Sequence, residues 1–314
     1  MELLVNALIL AVSMGILLKG TDILLDSSVK IAEHFGISHL VISLTLVSLA
    51  TSLPEVSISF IAGVMGKAPI SLSNIVGTTI FNTCLIVGIA ALIGKIKVHQ
   101  KVIDRDCVSL ILCYLALMLV FWFGGLNWII GLAFLLGYIV YLSYLYRHVK
   151  TEQLEKKRIS NLSKHFFLVT IGAIAIYLGA KFSVSSAASI ASLLGISSWT
   201  IGATVLAGGS SLPELVVAIG AMKKKRRVMA IGTVIGSNVL DILLGLGLAS
   251  LVTPLLISFS SIAVDLLFGL ISSVLLAVLL LDREIYRKGG FLLLVLYFMY
   301  IAYLLAVVAP ISSG

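Results

Sequence analysis

The chain has 314 residues, of which 60% are hydrophobic and only 11% are charged. A soluble domain of this size needs a charged surface that this composition cannot supply, so the sequence indicates an integral membrane protein. The net charge of +8 would suit a nucleic-acid-binding protein. However, the basic residues concentrate in loops on one side of the predicted membrane, which is the pattern of a topology signal.

Ten apolar segments follow one another along the chain, and we number them 1 to 10. Each is about as long as the roughly 20 residues that a helix needs to cross the core of a bilayer. We therefore predict an all-α integral membrane protein with ten transmembrane helices. The segments lie at residues 4–31, 40–65, 70–93, 107–123, 126–146, 165–190, 198–222, 227–251, 260–281 and 290–309.

Segment 1 starts at the beginning of the chain, where "MELLVNALILAV" has an acid in the place of the positive charge of a secretory signal. We therefore interpret it as the first span. Threading the ten spans through a membrane places nearly all loop Lys and Arg on one face, which we expect to be cytoplasmic. This predicts a multi-pass protein of the cell membrane with both termini extracellular and the basic loops cytoplasmic.

Segment 2 contains "SLATSLPEVS" (residues 48–57), which places Pro54 and Glu55 inside an apolar run. A proline cannot donate the helical hydrogen bond and opens the preceding turn, so that nearby backbone carbonyls can point inward as ligands. An acid in hydrocarbon is costly unless it has a partner. The stretch therefore predicts a broken helix at an ion-binding position, and Pro54 is its helix-breaking residue.

A polar, basic stretch after segment 5 divides the ten segments into two groups of five. We predict three parts from it. They are a first five-helix repeat at residues 1–146, a basic cytoplasmic linker at 147–164 and a second five-helix repeat at 165–314.

Segments 7 and 8 repeat the motifs of segments 2 and 3 at a constant offset of 159 residues. "GISSWTIGATVLAGGSSLPE" (residues 195–214) matches "GISHLVISLTLVSLATSLPE" (residues 36–55) at nine of twenty positions. The register continues without a gap from "SNIVGTTIFNTCLIVG" to "GTVIGSNVLDILLGLG". The aligned pairs include Pro54 with Pro213, Glu55 with Glu214, Thr78 with Ser237, and Asn82 with Asp241.

The odd number of spans in each repeat has a geometric consequence. The second repeat must enter the membrane from the opposite side, so the two are inverted and related by an axis in the membrane plane. Inverted repeats with broken helices and an ion site near the midplane are a common plan of secondary transporters. We expect Glu55 and Glu214 to face each other across this axis.

The residue types around the two glutamates indicate which ions they bind. Two carboxylates with several carbonyls provide the roughly six to eight hard oxygen ligands that Ca²⁺ prefers. Neutral hydroxyl oxygens suit Na⁺, and the His and Cys residues form no cage for a soft metal. The hydroxyl residues near the acids are Thr51, Ser52, Thr78, Ser210, Ser211 and Ser237.

Asn82 and Asp241 are the one strong asymmetry between the repeats at this depth. Asp241 brings a third negative charge close to the two glutamates, and such crowding favours protonation of one acid. We expect Asp241 to hold that proton.

The motifs "TSLPE" and "SSLPE", followed by "NIVGTTIFN" and "TVIGSNVLD", resemble the two alpha-repeats of the cation/Ca²⁺ exchanger superfamily, best matched to prokaryotic sodium/calcium exchangers. The resemblance covers all ten segments. It implies that segments 2, 3, 7 and 8 hold the ions and that segments 1 and 6 slide across them. It implies Ca²⁺ ligands at Glu55, Glu214, Thr51 and Ser210, and Na⁺ ligands at Ser48, Ser52, Thr78, Ala207, Ser211, Ser237, Glu55 and Glu214, with Asn82 and Asp241 between them.

The leading hypothesis is a secondary antiporter that exchanges Ca²⁺ for Na⁺ by alternating access. The nearest alternative keeps the fold but exchanges Ca²⁺ for H⁺. Proton-coupled relatives tend to carry a further glutamate where this chain has Asn82 and Asp241, which favours sodium. A passive cation channel is an alternative of a different class, since its pore can also use acids.

Other classes of partner and activity find no support in the sequence. No nucleophile–base arrangement or nucleotide-binding loop indicates an enzyme, and we expect no catalytic residues and no cofactor. The expected partners are the transported ions and the lipid bilayer, without nucleic acid, and we expect the chain to function as a monomer.

Overall fold

The structure is a computed structural model that describes residues 1–35, 48–98, 100, 103–147, 161–223 and 227–308. Each predicted segment contains helix in this part of the chain, and the bounds that fall within it agree with the predicted ones within about one helical turn. The helices of the first half are Glu2–His34, Ser48–Thr51, Leu53–Val64, Ala68–Ile80, Val87–Ile93, Val108–Trp122 and Trp128–Arg147. Those of the second half are Leu162–Leu194, Ser198–Ile201, Ala207–Ser210, Leu212–Lys223, Arg227–Leu240, Gly247–Val252, Phe259–Leu279 and Arg287–Tyr303.

Several segments contain a π-helical turn, in which the backbone hydrogen bonds skip one residue more than in an α-helix. Such turns interrupt segments 3 and 8 at places that differ by one residue between the two repeats, and others lie in segments 4, 7 and 10. They are Phe81–Ile86, Ile103–Cys107, Gly202–Leu206, Asp241–Leu246 and Leu304–Val308.

Seven helices of the described residues are long and apolar enough to cross a membrane. Segment 7 makes an eighth when its two halves, which are bent by 43°, are counted together. Segments 2 and 5 contain the shorter apolar helices Leu53–Val64 and Trp128–Tyr144. Residues 36–47, which include the start of predicted segment 2, lie outside the described part of the chain.

The distribution of polar and apolar side chains differs from that in a soluble protein, because carboxylates are buried and large apolar side chains are exposed. Carboxylates are buried inside the bundle, among them Glu55, Asp106 and Asp265. Large apolar side chains cover its outside, such as Leu119 and Phe298, each about 60% exposed. An apolar exterior with charged groups buried inside suits a lipid environment, since lipid chains solvate the exterior. The fold is that of an all-helical, multi-pass membrane protein.

Segments 1 and 6 are two long helices that pack antiparallel along each other. Glycines allow this close approach: a Cβ atom at Gly20 would lie 3.0 Å from the backbone nitrogen of Ile176, and one at Gly179 would lie 2.8 Å from Cα of Leu17. The hydroxyls of Ser13 and Ser183 hydrogen bond across the same interface at 2.9 Å.

Contacts between the two halves occur in equivalent pairs, in which each half contributes the residue that the other half contributes to the second contact. Two short antiparallel strands, β1 (Ile96–Lys97) and β2 (Glu284–Ile285), pair with Ile96 opposite Ile285. An isolated bridge joins Leu126 to Leu255. Residue 96 is 159 positions before residue 255, and residue 126 is 159 positions before residue 285, so each pairing is the counterpart of the other. The Gly88–Gly290 and Gly131–Gly247 approaches are related in the same way.

Gly77 marks a close backbone contact between two of the segments that carry the motifs. A Cβ atom there would lie 2.6 Å from Cα of Ala203 and would overlap its carbonyl oxygen. Segment 3 therefore packs against segment 7 by direct backbone contact. At Gly236, the equivalent residue of segment 8, the nearest atom to a Cβ is the Tyr141 hydroxyl oxygen at 3.6 Å.

We expect Gly77→Ala to destabilise the protein by about 1–3 kcal/mol, because overpacking forces two backbones apart. The measurement is the temperature at which half of the detergent-solubilised protein is lost from the monodisperse peak on size-exclusion chromatography. Gly236→Ala is the matched control and should leave this temperature unchanged. Equal stability of the two variants would contradict the predicted backbone contact.

Candidate functional site

Segments 2 and 7 both interrupt their helices at equivalent serines. Ser52 (φ −86°, ψ −3°) separates Ser48–Thr51 from Leu53–Val64, and Ser211 (φ −83°, ψ 8°) separates Ala207–Ser210 from Leu212–Lys223. A proline follows each break two residues later, where its missing amide hydrogen is not needed because a new helix begins.

The breaks place both motif glutamates in the first turn of a helix. Glu55 lies in the first turn of Leu53–Val64, and Glu214 in the first turn of Leu212–Lys223. The amide groups at a helix N-terminus carry a partial positive charge that favours a carboxylate. The same local sequence thus breaks the helix and stabilises the acid that follows.

Glu55 is completely buried and is held from two other segments. Its Oε1 accepts a hydrogen bond from Ser211 Oγ at 3.1 Å, and its main-chain carbonyl accepts one from Asn74 Nδ2 at 3.1 Å. Ser210 also lies within hydrogen-bonding reach of its carboxylate. Oε2 has no hydrogen-bond partner among the described residues, so within this part of the chain the carboxylate keeps one free oxygen.

Glu214 is held reciprocally from segment 2. Thr51 lies within hydrogen-bonding reach of its carboxylate, and the carboxylates of Glu55 and Asp241 are close enough to interact with it electrostatically. Glu214 is 5% exposed, and no group in the described part of the chain hydrogen bonds to its Oε2. Each repeat therefore contributes hydroxyl groups to the acid of the other repeat.

Asp241 is buried, and neither of its carboxylate oxygens has a hydrogen-bond partner in the part of the chain that the structure describes. Its carboxylate lies close to Glu55 and to Ser52. Its counterpart Asn82 is turned toward segment 8 instead, where its Nδ2 donates to Asn238 Oδ1 at 3.0 Å. The acid and the amide at equivalent positions thus have different surroundings.

The remaining predicted ligands differ in their hydrogen bonding. Ser52 and Thr78 are buried hydroxyls without a hydrogen-bond partner. Ser237 donates to the carbonyl of Val234 at 2.9 Å. The carbonyl of Ala207 accepts from the backbone amide of Ser211 at 3.1 Å and from Ser210 Oγ at 3.3 Å. The side chain of Ser48 lies outside the described part of the structure, although its backbone is helical.

Two buried asparagines belong to the site and were absent from the sequence-based ligand set. Asn74 holds the carbonyl of Glu55, and Asn238 Nδ2 donates to Thr83 Oγ1 at 2.9 Å and to the carbonyl of Thr79 at 3.3 Å. The available signal in the sequence was the presence of amide side chains within apolar helices, at the depth of the motifs. Asn238 and Thr79 are 159 positions apart, so this contact lies on the axis that would relate the two halves.

The site carries excess negative charge. Among the described residues, Glu55, Glu214 and Asp241 form no ion pair with a basic side chain. Leaving several ionised carboxylates uncompensated in a buried site costs several kcal/mol each. No three His, Cys, Asp or Glu residues of the described chain converge closely enough to form a metal centre by themselves. A cation bound here would therefore combine carboxylate oxygens with hydroxyl and carbonyl oxygens.

Known proteins resemble the chain along almost its whole length. The family model described as "Sodium/calcium exchanger protein" matches residues 5–147 and again residues 164–306. The uncharacterized membrane protein MJ0091 of Methanocaldococcus jannaschii is 36% identical over 90% of this chain and 92% of its own length. The sodium/calcium exchanger MaX1 of Methanosarcina acetivorans is 32% identical over 96% of this chain and 98% of its own.

A solved structure has the same overall arrangement. The sodium-calcium exchanger NCX_Mj, soaked with 10 mM Na⁺ and zero Ca²⁺, superposes with a TM-score of 0.66 at 33% identity, covering 96% of this chain and 99% of that one. The two matches of one family model, the full-length relatives and the shared fold lead to one conclusion. The chain belongs to the sodium/calcium exchanger protein family.

Proposed function

We propose that this protein is a secondary active antiporter that exchanges Ca²⁺ for Na⁺ by alternating access. One observation carries the proposal: two buried glutamates on broken helices face each other, each held by hydroxyls of the opposite segment, without a basic partner among the described residues. Membership of the exchanger family supports cation exchange as the general activity.

Charge balance explains how such a site couples two fluxes. If Asp241 holds a proton, Glu55 and Glu214 supply two negative charges, which one Ca²⁺ neutralises. Na⁺ ions that use the same carboxylates cannot bind together with Ca²⁺. The flux of one ion then requires release of the other, which is the condition for antiport.

The proposed ligands divide between the two ions. Ca²⁺ takes both glutamates with oxygens of Thr51 and Ser210, a set flexible enough for its long bonds. Na⁺ takes the flanking oxygens with the glutamates. We propose these flanking Na⁺ ligands as Ser48, Ser52, Thr78, Ala207, Ser211 and Ser237.

The proposed architecture has ten spans in two inverted repeats, at residues 1–146 and 165–314. The separate matches of the family model to 5–147 and 164–306 support these boundaries. The exchanged contacts of β1 with β2 and of Leu126 with Leu255 support an axis between the halves. The complete burial of Glu55 favours alternating access over a continuous pore.

Glu55→Gln and Glu214→Gln should each reduce Ca²⁺ uptake into Na⁺-loaded proteoliposomes by more than about a hundredfold, because each removes half of the essential charge from a desolvated site. Glu2→Gln, which changes an exposed glutamate, is the control and should transport normally. Near-normal exchange in either site variant, with intact folding on size-exclusion chromatography, would disprove the central-site proposal.

Topology can be tested by accessibility of introduced cysteines, since Cys84, Cys107 and Cys113 are buried. Cysteines at positions 157 and 225 should react with a membrane-impermeant maleimide only from the cytoplasmic side, and one at position 313 only from outside. Reaction of positions 157 and 313 from the same side would contradict the arrangement of five plus five spans.

Asp241→Asn distinguishes sodium from proton coupling. If Na⁺ drives transport, a protonated Asp241 is replaced by a neutral amide of similar shape, and we expect Na⁺-driven Ca²⁺ flux to survive with weaker inhibition at low pH. If H⁺ drives transport, Asp241 is the best proton carrier, because neither of its oxygens has another partner. Loss of flux in this variant, with proton-driven uptake in the parent, would establish the proton-coupled alternative.

A further inference from the structure

A second pair of buried carboxylates lies outside the central site. Tyr141 donates a hydrogen bond to Asp106 Oδ1 at 2.9 Å, and Tyr300 donates one to Asp265 Oδ1 at 2.9 Å. Both aspartates are completely buried. Residues 106 and 265 are 159 positions apart, as are residues 141 and 300, so the same Asp–Tyr pair occurs in each half of the chain.

The two pairs differ in their third partner. Arg105 forms an ion pair with Asp106, with Nη2 2.7 Å from Oδ2. Asp265 instead accepts a hydrogen bond from Trp199 Nε1 at 2.8 Å, and its Oδ2 has no hydrogen-bond partner among the residues described. Within the described residues no basic side chain pairs with Asp265. Asp106 is thus neutralised by the adjacent Arg105, whereas Asp265 holds the indole of Trp199, which lies in another segment.

Trp199 lies in the first turn of segment 7. The first half of this segment ends at Ser210, just before the break at Ser211. This half-helix has three anchors: Trp199 binds Asp265, Ala203 contacts Gly77, and Ser211 binds Glu55. About 16 Å of helix separates Trp199 from Ser210. Because a helix is stiff over this length, the position of its first turn affects the serines at its other end.

The residue types of the first half of the chain exclude the equivalent hydrogen bond. The residue equivalent to Trp199 is Leu40, whose side chain can neither donate nor accept a hydrogen bond. Asp106, the equivalent of Asp265, is occupied by Arg105. The anchor therefore acts on segment 7 alone, and from the face of the membrane at which segment 7 begins.

We propose that Asp265 is a positioning residue, which through Trp199 sets the orientation of the first half of segment 7 and so the affinity of the central site toward one face. The proposal rests on the exchange function proposed above. The topology proposed there makes this the extracellular face.

The test measures the apparent KM for Ca²⁺ at each face, with right-side-out and inverted membrane vesicles containing the full chain. Trp199→Phe and Asp265→Ala should raise the KM at the face where segment 7 begins by about tenfold, the scale of one lost hydrogen bond to a charged acceptor. Vmax and the KM at the other face should change by less than about twofold, within the spread expected of a local change.

Two further variants separate positioning from a general structural role. Asp265→Asn should restore the parental KM, because its amide oxygen still accepts from Trp199 and Tyr300. Tyr141→Phe removes the equivalent hydrogen bond from Asp106, which does not hold segment 7, and should leave both KM values unchanged. A lower Vmax with unchanged KM, equal shifts at both faces, or Asp265→Asn behaving like Asp265→Ala would each overturn the proposal.

The parent protein distinguishes failure of this proposal from failure of the proposed function. Absence of Na⁺-driven Ca²⁺ flux in parental vesicles would refute the exchange function. Normal flux in the parent, with parental KM values in Trp199→Phe and Asp265→Ala, would refute only the positioning role of Asp265.

Discussion

A carboxylate inside a medium that excludes water must be compensated, and this constraint organises the centre of the protein. Glu55 and Glu214 lie at helix N-termini and receive hydroxyl groups from opposite segments. These contacts offset only part of the cost of burying charge. The remaining compensation must come from a proton or a cation. In the proposed exchange function, this deficit is what binds the transported cations.

Close backbone packing holds the site in place. Gly77 brings segment 3 onto segment 7 at Ala203, and the Gly88–Gly290 and Gly131–Gly247 approaches join the inner segments to the outer ones. In lipid, helices gain little from burying apolar surface, so small residues and interhelical hydrogen bonds carry more of the association. The polar bonds between Asn82 and Asn238 therefore contribute to holding the two halves together as well as to the site.

Much of the fold and the main acids could be predicted from the sequence, because both depend on local patterns. Helix length follows from bilayer thickness, and the interruptions at Ser52 and Ser211 follow from Pro54 and Pro213. The roles of Asn74 and Asn238 could not be predicted, since they depend on which helix faces lie opposite each other. The π-helical turns in segments 3 and 8 reflect tertiary packing for the same reason. The Asp106–Tyr141 and Asp265–Tyr300 pairs share the 159-residue offset, but only the structure shows that they touch.

The pairing of β1 with β2 has a consequence for biosynthesis. Ile96 pairs with Ile285, a residue synthesised 189 positions later. The equivalent contact between Leu126 and Leu255 can form only after the eighth segment has been synthesised. Such contacts between distant positions form late, because the intervening chain must first be ordered. During translation the early helices are therefore made before the helices that contact their polar faces. Chaperones or insertion machinery that shield these faces would act on segments 2 and 3 until segments 7 and 8, which contribute their partners in the central site, have been synthesised.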